Sequence, residues 1–211
     1  MTIKSFTFNA LSENTYILYD ETKEAVIIDP GCNDAGEEKK LTDFIAANRL
    51  KVVRLLNTHC HLDHVFGNPL VVEKYGTGLE IHKNELPVLK NAVAAGVRWG
   101  FHVPEQPEPS GFIEDNDLIS FGNTKLQVIL APGHSPGSIC FYNEAENYLI
   151  GGDVLFLGSI GRTDLPGGNH AQLLQSIEKR LMTLPDDVKV YSGHGPATTI
   201  GRERKSNPFL I

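Results

Sequence analysis

The chain has 211 residues, of which 41% are hydrophobic and 21% are charged. This balance is ordinary for a globular protein, and the length predicts one domain, residues 1–211, with a well-buried core. The formal net charge of −7 argues against a general nucleic-acid binder, which needs a basic face. No apolar run reaches the roughly 18 residues of a membrane span, so no membrane partner is expected.

The cellular setting is predicted from the N-terminus and the cysteines. The opening stretch "MTIKSFTFNALSENTY" has no continuous apolar segment of the kind that a secretory signal needs. The chain has only three cysteines, Cys32, Cys60 and Cys140. A small and odd number of cysteines does not predict a disulfide framework. Both features are typical of a protein of the reducing cytoplasm.

The first half of the chain predicts strands interrupted by helices. The segments "IKSFTFN", "NTYILYD" and "EAVIIDPG" are rich in β-forming residues and predict three strands. Leu41, Phe44 and Ile45 have helical spacing after an acidic first turn, which predicts a helix within "GEEKKLTDFIAANRL". A buried strand, "KVVRLLNT", follows. Then come a short helix that Pro69 begins, a strand in "LEIHK" and one helix over "NELPVLKNAVAAG".

The second half repeats this arrangement after a proline-rich segment, residues 97–111, that predicts an irregular loop and a lid over the functional site. Strands are predicted in "DLISFG", "TKLQVILAPG" and "GSICFYNEAENYLIGGD". An amphipathic helix, "HAQLLQSIEKRLMTLP", precedes a last strand in "DVKVYSGHG". Strand-rich halves followed by helices favour two face-to-face sheets with helices outside, although a doubly wound parallel sheet has the same pattern.

The most unusual stretch is "THCHLDH", in which three histidines and an aspartate follow directly on a buried strand. Alternate residues of an extended segment project to the same side, so His59 and His61 can share one ion. Asp63 and His64 turn into the next helix and can point at a second position. We therefore interpret the stretch as one part of a metal centre.

Further ligands are expected at the ends of other strands. Single candidates follow three apolar strands within glycine-rich turns, which allow close backbone approach: His134, Asp153 and His194. Imidazole and carboxylate donors without thiolate suit zinc, iron or manganese in a catalytic site. Cys60 is expected to face away from the metal, as a small buried apolar residue. The remaining single histidines, His82, His102 and His170, are interpreted as ordinary polar residues.

These motifs resemble the metallo-β-lactamase superfamily over almost the whole chain. The resemblance implies a four-layer αββα sandwich with two divalent metal ions, in the first instance Zn²⁺, at one edge between the sheets. By the same resemblance His59, His61 and His134 hold the first metal. Asp63, His64 and His194 hold the second, and Asp153 bridges both.

Two further stretches narrow the resemblance. The segments "FLGSIGRTDLPGG" and "SGHGPATTIGRERKSNPFL" are similar to short bacterial hydroxyacylglutathione hydrolases, the glyoxalase II enzymes. The resemblance implies hydrolysis of a thioester such as S-lactoylglutathione to a hydroxy acid and glutathione. Two divalent metals can share a hydroxide that attacks a carbonyl carbon, and Asp63 would take a second, catalytic role by orienting it. The long form of these enzymes has an added C-terminal helical region that helps to grip glutathione, whereas this sequence stops soon after His194 and is expected to resemble the short form.

Glutathione carries two carboxylates, so cations near the site are expected to bind the substrate. The candidates are Arg162 in the "GRTD" stretch and Arg202, Arg204 and Lys205 in the C-terminal segment. Arg162 is equally able to form a structural ion pair with Asp164, and the C-terminal cations are equally able to form a solvated basic surface.

Three alternatives remain open at the level of sequence. Persulfide dioxygenases share the fold and a similar "GRTD" stretch, but bind a single iron through two histidines and an aspartate. A hydrolase of another small ester or lactone would use the same centre. A non-enzymatic metal or redox scaffold is the third class. All seven potential ligands are present here, which favours the two-metal hydrolase. Nothing in the sequence indicates the oligomeric state.

Overall fold

The structure, a computed structural model, describes residues 1–211 and contains two six-stranded mixed sheets and a small hairpin. The first sheet consists, in spatial order, of β1 (Thr2–Phe8), β2 (Glu13–Tyr19), β3 (Glu24–Ile28), β4 (Lys51–Leu56), β5 (Leu79–Ile81) and β6 (Gly111–Phe112). The second consists of β7 (Leu118–Phe121), β8 (Thr124–Leu130), β9 (Ile139–Asn143), β10 (Tyr148–Gly152), β13 (Lys189–Ser192) and β14 (Thr198–Thr199). The hairpin pairs β11 (Leu155–Phe156) with β12 (Ser159–Ile160).

The helices connect these strands on the outer faces of the sheets. They are α1 (Ala35–Ala47), α2 (Leu62–Val65), α3 (Asn68–Tyr75), α4 (Leu86–Lys90), α5 (Ala92–Trp99), α6 (His170–Ser176) and α7 (Ile200–Ser206). A 3₁₀ turn, Lys83–Glu85, precedes α4, and a π-helical turn, Ile177–Leu181, continues α6. No helix combines the length and the apolar character that crossing a bilayer requires.

The core has three layers, and neighbouring apolar residues of an inner strand belong to different layers. Successive side chains of a strand point to opposite faces of its sheet. Ile27 therefore belongs to the cluster under α1 and α3, whereas Ile28 belongs to the cluster between the sheets. In the second sheet Val128 faces the intersheet cluster, and Ile129 faces α6. Both sheets are thus covered on both faces, and the predicted αββα order is confirmed.

Some predicted boundaries differ from the structure. The single helix expected over "NELPVLKNAVAAG" is divided into the 3₁₀ turn, α4 and α5, because the backbone turns at Asn91, whose N–H donates to three carbonyls of α4. The loop predicted over residues 97–111 is irregular only in its middle, since α5 extends to Trp99 and β6 begins at Gly111. Pro69 lies in the first turn of α3, as predicted.

The strand directions bring several loop ends to one edge of the sandwich. β10 and β13 are parallel, and β8 runs in the same direction as β10 because both are antiparallel to β9. In the first sheet β3 and β4 are parallel. The segments that follow β4, β8, β10 and β13 therefore leave the sheets close together, and these are the segments that carry the predicted ligands.

Candidate metal centre

All seven predicted ligand residues lie together at this edge. Of three groups of three whose ligand atoms lie within 4.8 Å of one another, two share no residue and can bind one ion each, whereas the third (Asp29, His59 and His64) takes one histidine from each of these two. The first group is His59, His61 and His134, and the second is Asp63, His64 and His194. This is the grouping that the resemblance implies.

The first group is built by the turn after β4 and the turn after β8. The Nδ1 atom of His61 lies 2.9 Å from Nε2 of His134, which in turn lies 3.2 Å from Nε2 of His59. Gly133 has φ +134°, and a Cβ there would lie 2.3 Å from the backbone nitrogen of Leu173. Glycine therefore lets the His134 turn pack directly against α6.

The second group joins α2 to the turn after β13. Nε2 of His194 lies 3.1 Å from Oδ2 of Asp63, and Nε2 of His64 lies 3.7 Å from the same oxygen. Gly193 is required here as well, because a Cβ at this position would lie 2.1 Å from Oδ1 of Asp153.

Asp153 lies between the two groups. Its Oδ2 atom is 3.6 Å from Nε2 of His134 and 3.5 Å from Nε2 of His194. Its Oδ1 atom is 3.6 Å from Nε2 of His64. One carboxylate thus faces imidazoles of both groups, which is the position that a bridging ligand needs.

Hydrogen bonds orient four of the five imidazoles. In each of the four, Nδ1 faces an oxygen that accepts a hydrogen bond, so the Nε2 lone pair points into the site. The pairs are His59 with Thr58 Oγ1, His64 with Asp29 Oδ2, His134 with the Arg162 carbonyl and His194 with the Leu11 carbonyl. His61 is the exception and presents Nδ1 to the first group.

Several of these ligand atoms have no suitable hydrogen-bond partner within the chain, so a bound cation would satisfy them. Nε2 of His64 and Oδ1 of Asp153 are buried and have no hydrogen-bond partner. In the first group, the Nε2 atoms of His59 and His134 present lone pairs to each other at 3.2 Å. Buried polar atoms without partners are costly, and a divalent cation satisfies both arrangements. Five imidazoles and two carboxylates are donors that zinc, iron and manganese accept.

The two groups differ in their protonation. Burial, followed by the nearby His134, lowers the pKa of His61 to about 3. Burial, followed by His64, lowers the pKa of His59 well below its ordinary range. Burial alone would also lower the pKa of His64, but the facing carboxylates of Asp63 and Asp153 raise it well above the ordinary value. The first group is therefore neutral at pH 7, as ligands must be, whereas the second holds a proton that a metal must displace.

Three buried carboxylates near the centre were not predicted from the sequence. Asp29, after β3, accepts hydrogen bonds from the N–H and the hydroxyl of Thr58 at 2.7 and 2.6 Å. Glu13, on β2, lies with Oε1 4.0 Å from Nδ1 of His64, and burial raises its pKa well above the ordinary value. The sequence signal for both was an acidic residue in or directly after an otherwise apolar strand.

Glu85 is the third of these carboxylates and joins the two turns that form the first group. Its Oε2 atom accepts the N–H of Cys60 at 2.8 Å. Its Oε1 atom accepts the hydroxyl of Ser135 at 2.5 Å and the N–H of Gly137 at 2.6 Å. Burial raises the pKa of Glu85 even though all three hydrogen bonds act in the opposite direction.

The other singled-out histidines and cysteines lie outside both metal-binding groups. His82 is buried and accepts the N–H of Asn84 at the start of the 3₁₀ turn, whereas His102 and His170 are exposed. All three cysteines are free and buried.

A cavity of about 940 Å³ opens beside the centre. His61, Asp63, His134, Asp153 and His194 contribute to its wall. Arg98, Trp99 and Phe101 line it too, so the start of the segment predicted to be a lid does border the site.

The predicted substrate cations do not meet at this cavity. Arg162 lines it, but both its Nε and its Nη2 donate to Asp164 at 2.7 Å. Arg202, Arg204 and Lys205 lie on α7 and are absent from the cavity wall. Arg204 instead donates to the carbonyls of Met182 and Leu184 and pairs with Asp186. These contacts give Arg204 structural partners, and substrate binding by the C-terminal cations stays a prediction.

Replacing Arg204 with alanine should lower the free energy of unfolding by about 1 kcal/mol, because two carbonyls lose a charged donor. The KM for a thioester substrate should not change. Denaturant unfolding and steady-state kinetics check the two parts. Arg202→Ala, on the exposed side of α7, is the control and should change neither quantity. A raised KM in the Arg204 variant alone would restore the substrate contact.

Comparison with known proteins supports the same family. The family model of the metallo-beta-lactamase superfamily matches residues 9–194. "Probable metallo-hydrolase YqgX" from Bacillus subtilis (strain 168) is 39% identical over 202 residues, covering 95% of this chain and 93% of the relative. "Hydroxyacylglutathione hydrolase GloC" from Haemophilus influenzae is 35% identical over 214 residues, covering 100% and 98%.

Solved structures agree in fold. The structure of the BLEG-1 B3 metallo-beta-lactamase has a TM-score of 0.91 at 36% identity and covers the whole of both chains. The structure of TTHA1623 in a di-iron-bound form has a TM-score of 0.89 at 38% identity, covering 98% of this chain and all of the other. With the matched family model, the αββα layers and the full-length relatives, the chain belongs to the metallo-beta-lactamase superfamily.

Proposed function

We propose that the protein is a two-metal thioester hydrolase that cleaves hydroxyacylglutathiones. The observation that carries the proposal is the convergence of seven imidazole and carboxylate side chains on two adjacent metal-binding groups, with Asp153 between them. The full-length relative GloC, named as a hydroxyacylglutathione hydrolase, supports the choice of substrate. Zinc is the metal we propose first, and the di-iron form of TTHA1623 makes iron the second to test.

His59, His61 and His134 would hold one metal, Asp63, His64 and His194 the other, and Asp153 both. Metals bound there would supply a water activated at neutral pH and a Lewis acid for a carbonyl oxygen. Hydrogen bonds to Nδ1 already orient four of the five imidazoles for such ions.

The chain's own residues provide the remaining requirements. Asp63 lines the cavity and is held by Nε2 of His194 at 3.1 Å, so its carboxylate can orient a water and accept its proton. The cavity admits a substrate of glutathione-thioester size beside these groups. A thiolate departs without a strong general acid, and the cavity wall outside the proposed ligands has no carboxyl, imidazole, ammonium or phenol group.

The direct test is to load the purified protein with zinc and follow the loss of S-lactoylglutathione and the appearance of free glutathione. Turnover that ceases on chelation and returns with metal is expected. A β-lactam should be tested as an alternative substrate, because a structural neighbour is a B3 metallo-beta-lactamase. Iron-loaded protein with glutathione persulfide tests the dioxygenase alternative. Oxygen uptake there, without thioester loss in either metal form, would overturn the proposal.

Acidification should remove the two metals in order. His64 and His194 have raised pKa values because Asp63 and Asp153 stabilise their protonated forms against the opposing effect of burial. A falling pH should therefore favour protons over metal at these two rings first, whereas His61, with a pKa of about 3, remains neutral. Equilibrium dialysis with elemental analysis between about pH 8 and pH 5 should therefore show two metals becoming one. Simultaneous loss of both would contradict the assignment.

A further inference from the structure

The cavity beside the metal centre has two apolar walls. Along one wall, Val88, Ala92, Ala95 and Trp99 face the cavity at intervals of three or four residues, which places them on one side of α4 and α5. Small alanines in the middle of this stripe leave room for a bulky group. The second apolar part of the wall includes the hairpin residues Phe156, Leu157 and Ile160.

The hairpin wall is held in place by α7. Glu203 is fully buried and accepts the N–H of Gly158, at the tip of the hairpin, at 2.9 Å. The side-chain amide of Asn207 donates to the Ser159 carbonyl at 3.0 Å. The C-terminal segment therefore anchors this part of the cavity wall through two polar residues rather than through its cations.

The charge of the cavity wall is concentrated on one side chain. Outside the proposed metal ligands, the only charged residues of the wall are Arg98 and Arg162. Arg162 is occupied by Asp164 through two hydrogen bonds of 2.7 Å. Arg98, in the last turn of α5, is exposed and forms no ion pair or hydrogen bond within the chain.

We propose that this cavity binds thioesters that carry an apolar group, and that it recognises one carboxylate of the substrate through Arg98. The apolar group packs between the α4–α5 stripe and the hairpin, where burial of apolar surface is favourable. Arg98 provides the unpaired cation for the carboxylate. Glutathione carries two carboxylates, and this cavity offers a free cation to only one of them. The inference rests on the proposed thioester hydrolysis and specifies its substrate class.

The protein contains its own reporter for this binding. Trp99 is the single tryptophan of the chain and lines the cavity next to Arg98. Its fluorescence therefore reports a ligand without requiring turnover. Stable thioethers in the zinc-loaded protein measure recognition separately from hydrolysis, and zinc itself contributes no absorption or quenching of its own.

Three probes separate the two parts of the proposal: 3-(benzylthio)propanoate, its uncharged amide, and 3-(methylthio)propanoate. In the unmodified protein the benzyl carboxylate should bind with a Kd about fivefold lower than the amide. It should also bind about tenfold more tightly than the methyl compound, because the ring buries more apolar surface. S-benzylglutathione, with two carboxylates, should bind no more than about twofold more tightly than the benzyl carboxylate.

Two variants and one control show which residues cause these differences in Kd. Arg98→Gln should remove the preference for carboxylate over amide and keep the preference for benzyl over methyl. Ala95→Leu should do the reverse by filling the apolar wall. Lys90→Gln, an exposed lysine of α4 outside the cavity wall, should change neither. All four proteins are first compared by circular dichroism and zinc content.

Retention of the carboxylate preference in Arg98→Gln would overturn the proposal, because the carboxylate would then bind elsewhere, at the metal centre included. Equal binding of benzyl and methyl compounds to the unmodified protein would overturn the apolar part. Failure of the proposed hydrolysis would look different: the three probes would bind in the expected order, while S-lactoylglutathione and S-benzoyl-3-mercaptopropanoate would both remain intact.

Discussion

Replacing Asp153 with alanine should abolish thioester hydrolysis and leave the fold intact. The Asp153 carboxylate faces imidazoles of both groups, at 3.5 and 3.6 Å from His194 and His134. Without this carboxylate, each of the two proposed metal sites would lose a donor. We expect kcat/KM to fall at least about a thousandfold, equivalent to about 4 kcal/mol of transition-state stabilisation. His61→Ala should have a similar effect through the first group alone.

The measurements for these variants must separate lost metal from lost fold. Circular dichroism and denaturant unfolding of the metal-free proteins should match the unmodified chain. The metal content of the Asp153 variant should fall below two ions per chain. His102→Ala removes an exposed histidine outside the cluster and is the matched control, with full activity expected. An Asp153 variant with unchanged kcat/KM would reject the metal assignment and the proposed function together.

The layers and the clustering of the seven proposed ligand side chains were predictable because both have short-range signatures. Adjacent apolar pairs such as Ile27 and Ile28 occur in strands whose two faces are both buried, and such runs are typical of sandwiched sheets. Each proposed ligand after His64 follows an apolar strand and lies beside a glycine. Parallel strand directions then bring these strand ends together, so the centre follows from topology once the strands are located.

The groups that support the ligands were not predictable in the same way. Ser135 and Gly137 lie 50 and 52 positions after Glu85, and no local pattern relates a helix-forming acidic residue to a distant turn. Its neighbours in sequence, "KNELP", predict only a helix start. The structural partners of Arg204 were not predictable for the same reason. A basic cluster in the sequence indicates positive charge but does not show whether its side chains donate to backbone carbonyls or to a substrate. Here Arg204 donates to the carbonyls of Met182 and Leu184.

Glu85 is the residue outside the ligand set whose replacement should have the largest effect. It is completely buried and joins the turn of His59 and His61 to the turn of His134 through three hydrogen bonds of 2.5 to 2.8 Å. Both carboxylate oxygens are used, one for each turn. In Glu85→Gln one oxygen becomes an amide nitrogen, which faces a donor and cannot accept. One of the two turns must then shift, and the first metal-binding group loses its geometry.

We expect Glu85→Gln to lower the affinity of the first metal-binding group about 10- to 100-fold, as groups that orient metal ligands do. Competition with a zinc chelator measures this loss, and the absorption spectrum of the cobalt-substituted protein reports the changed ligand geometry directly. Glu105→Gln, an exposed glutamate on the loop after α5, is the matched control and should leave both unchanged. A protein that is merely less stable would show a lower denaturation midpoint with an unaltered zinc affinity and cobalt spectrum. That result would make Glu85 a residue that only stabilises the fold, because a residue that positions metal ligands must change the metal affinity or the cobalt spectrum when it is replaced.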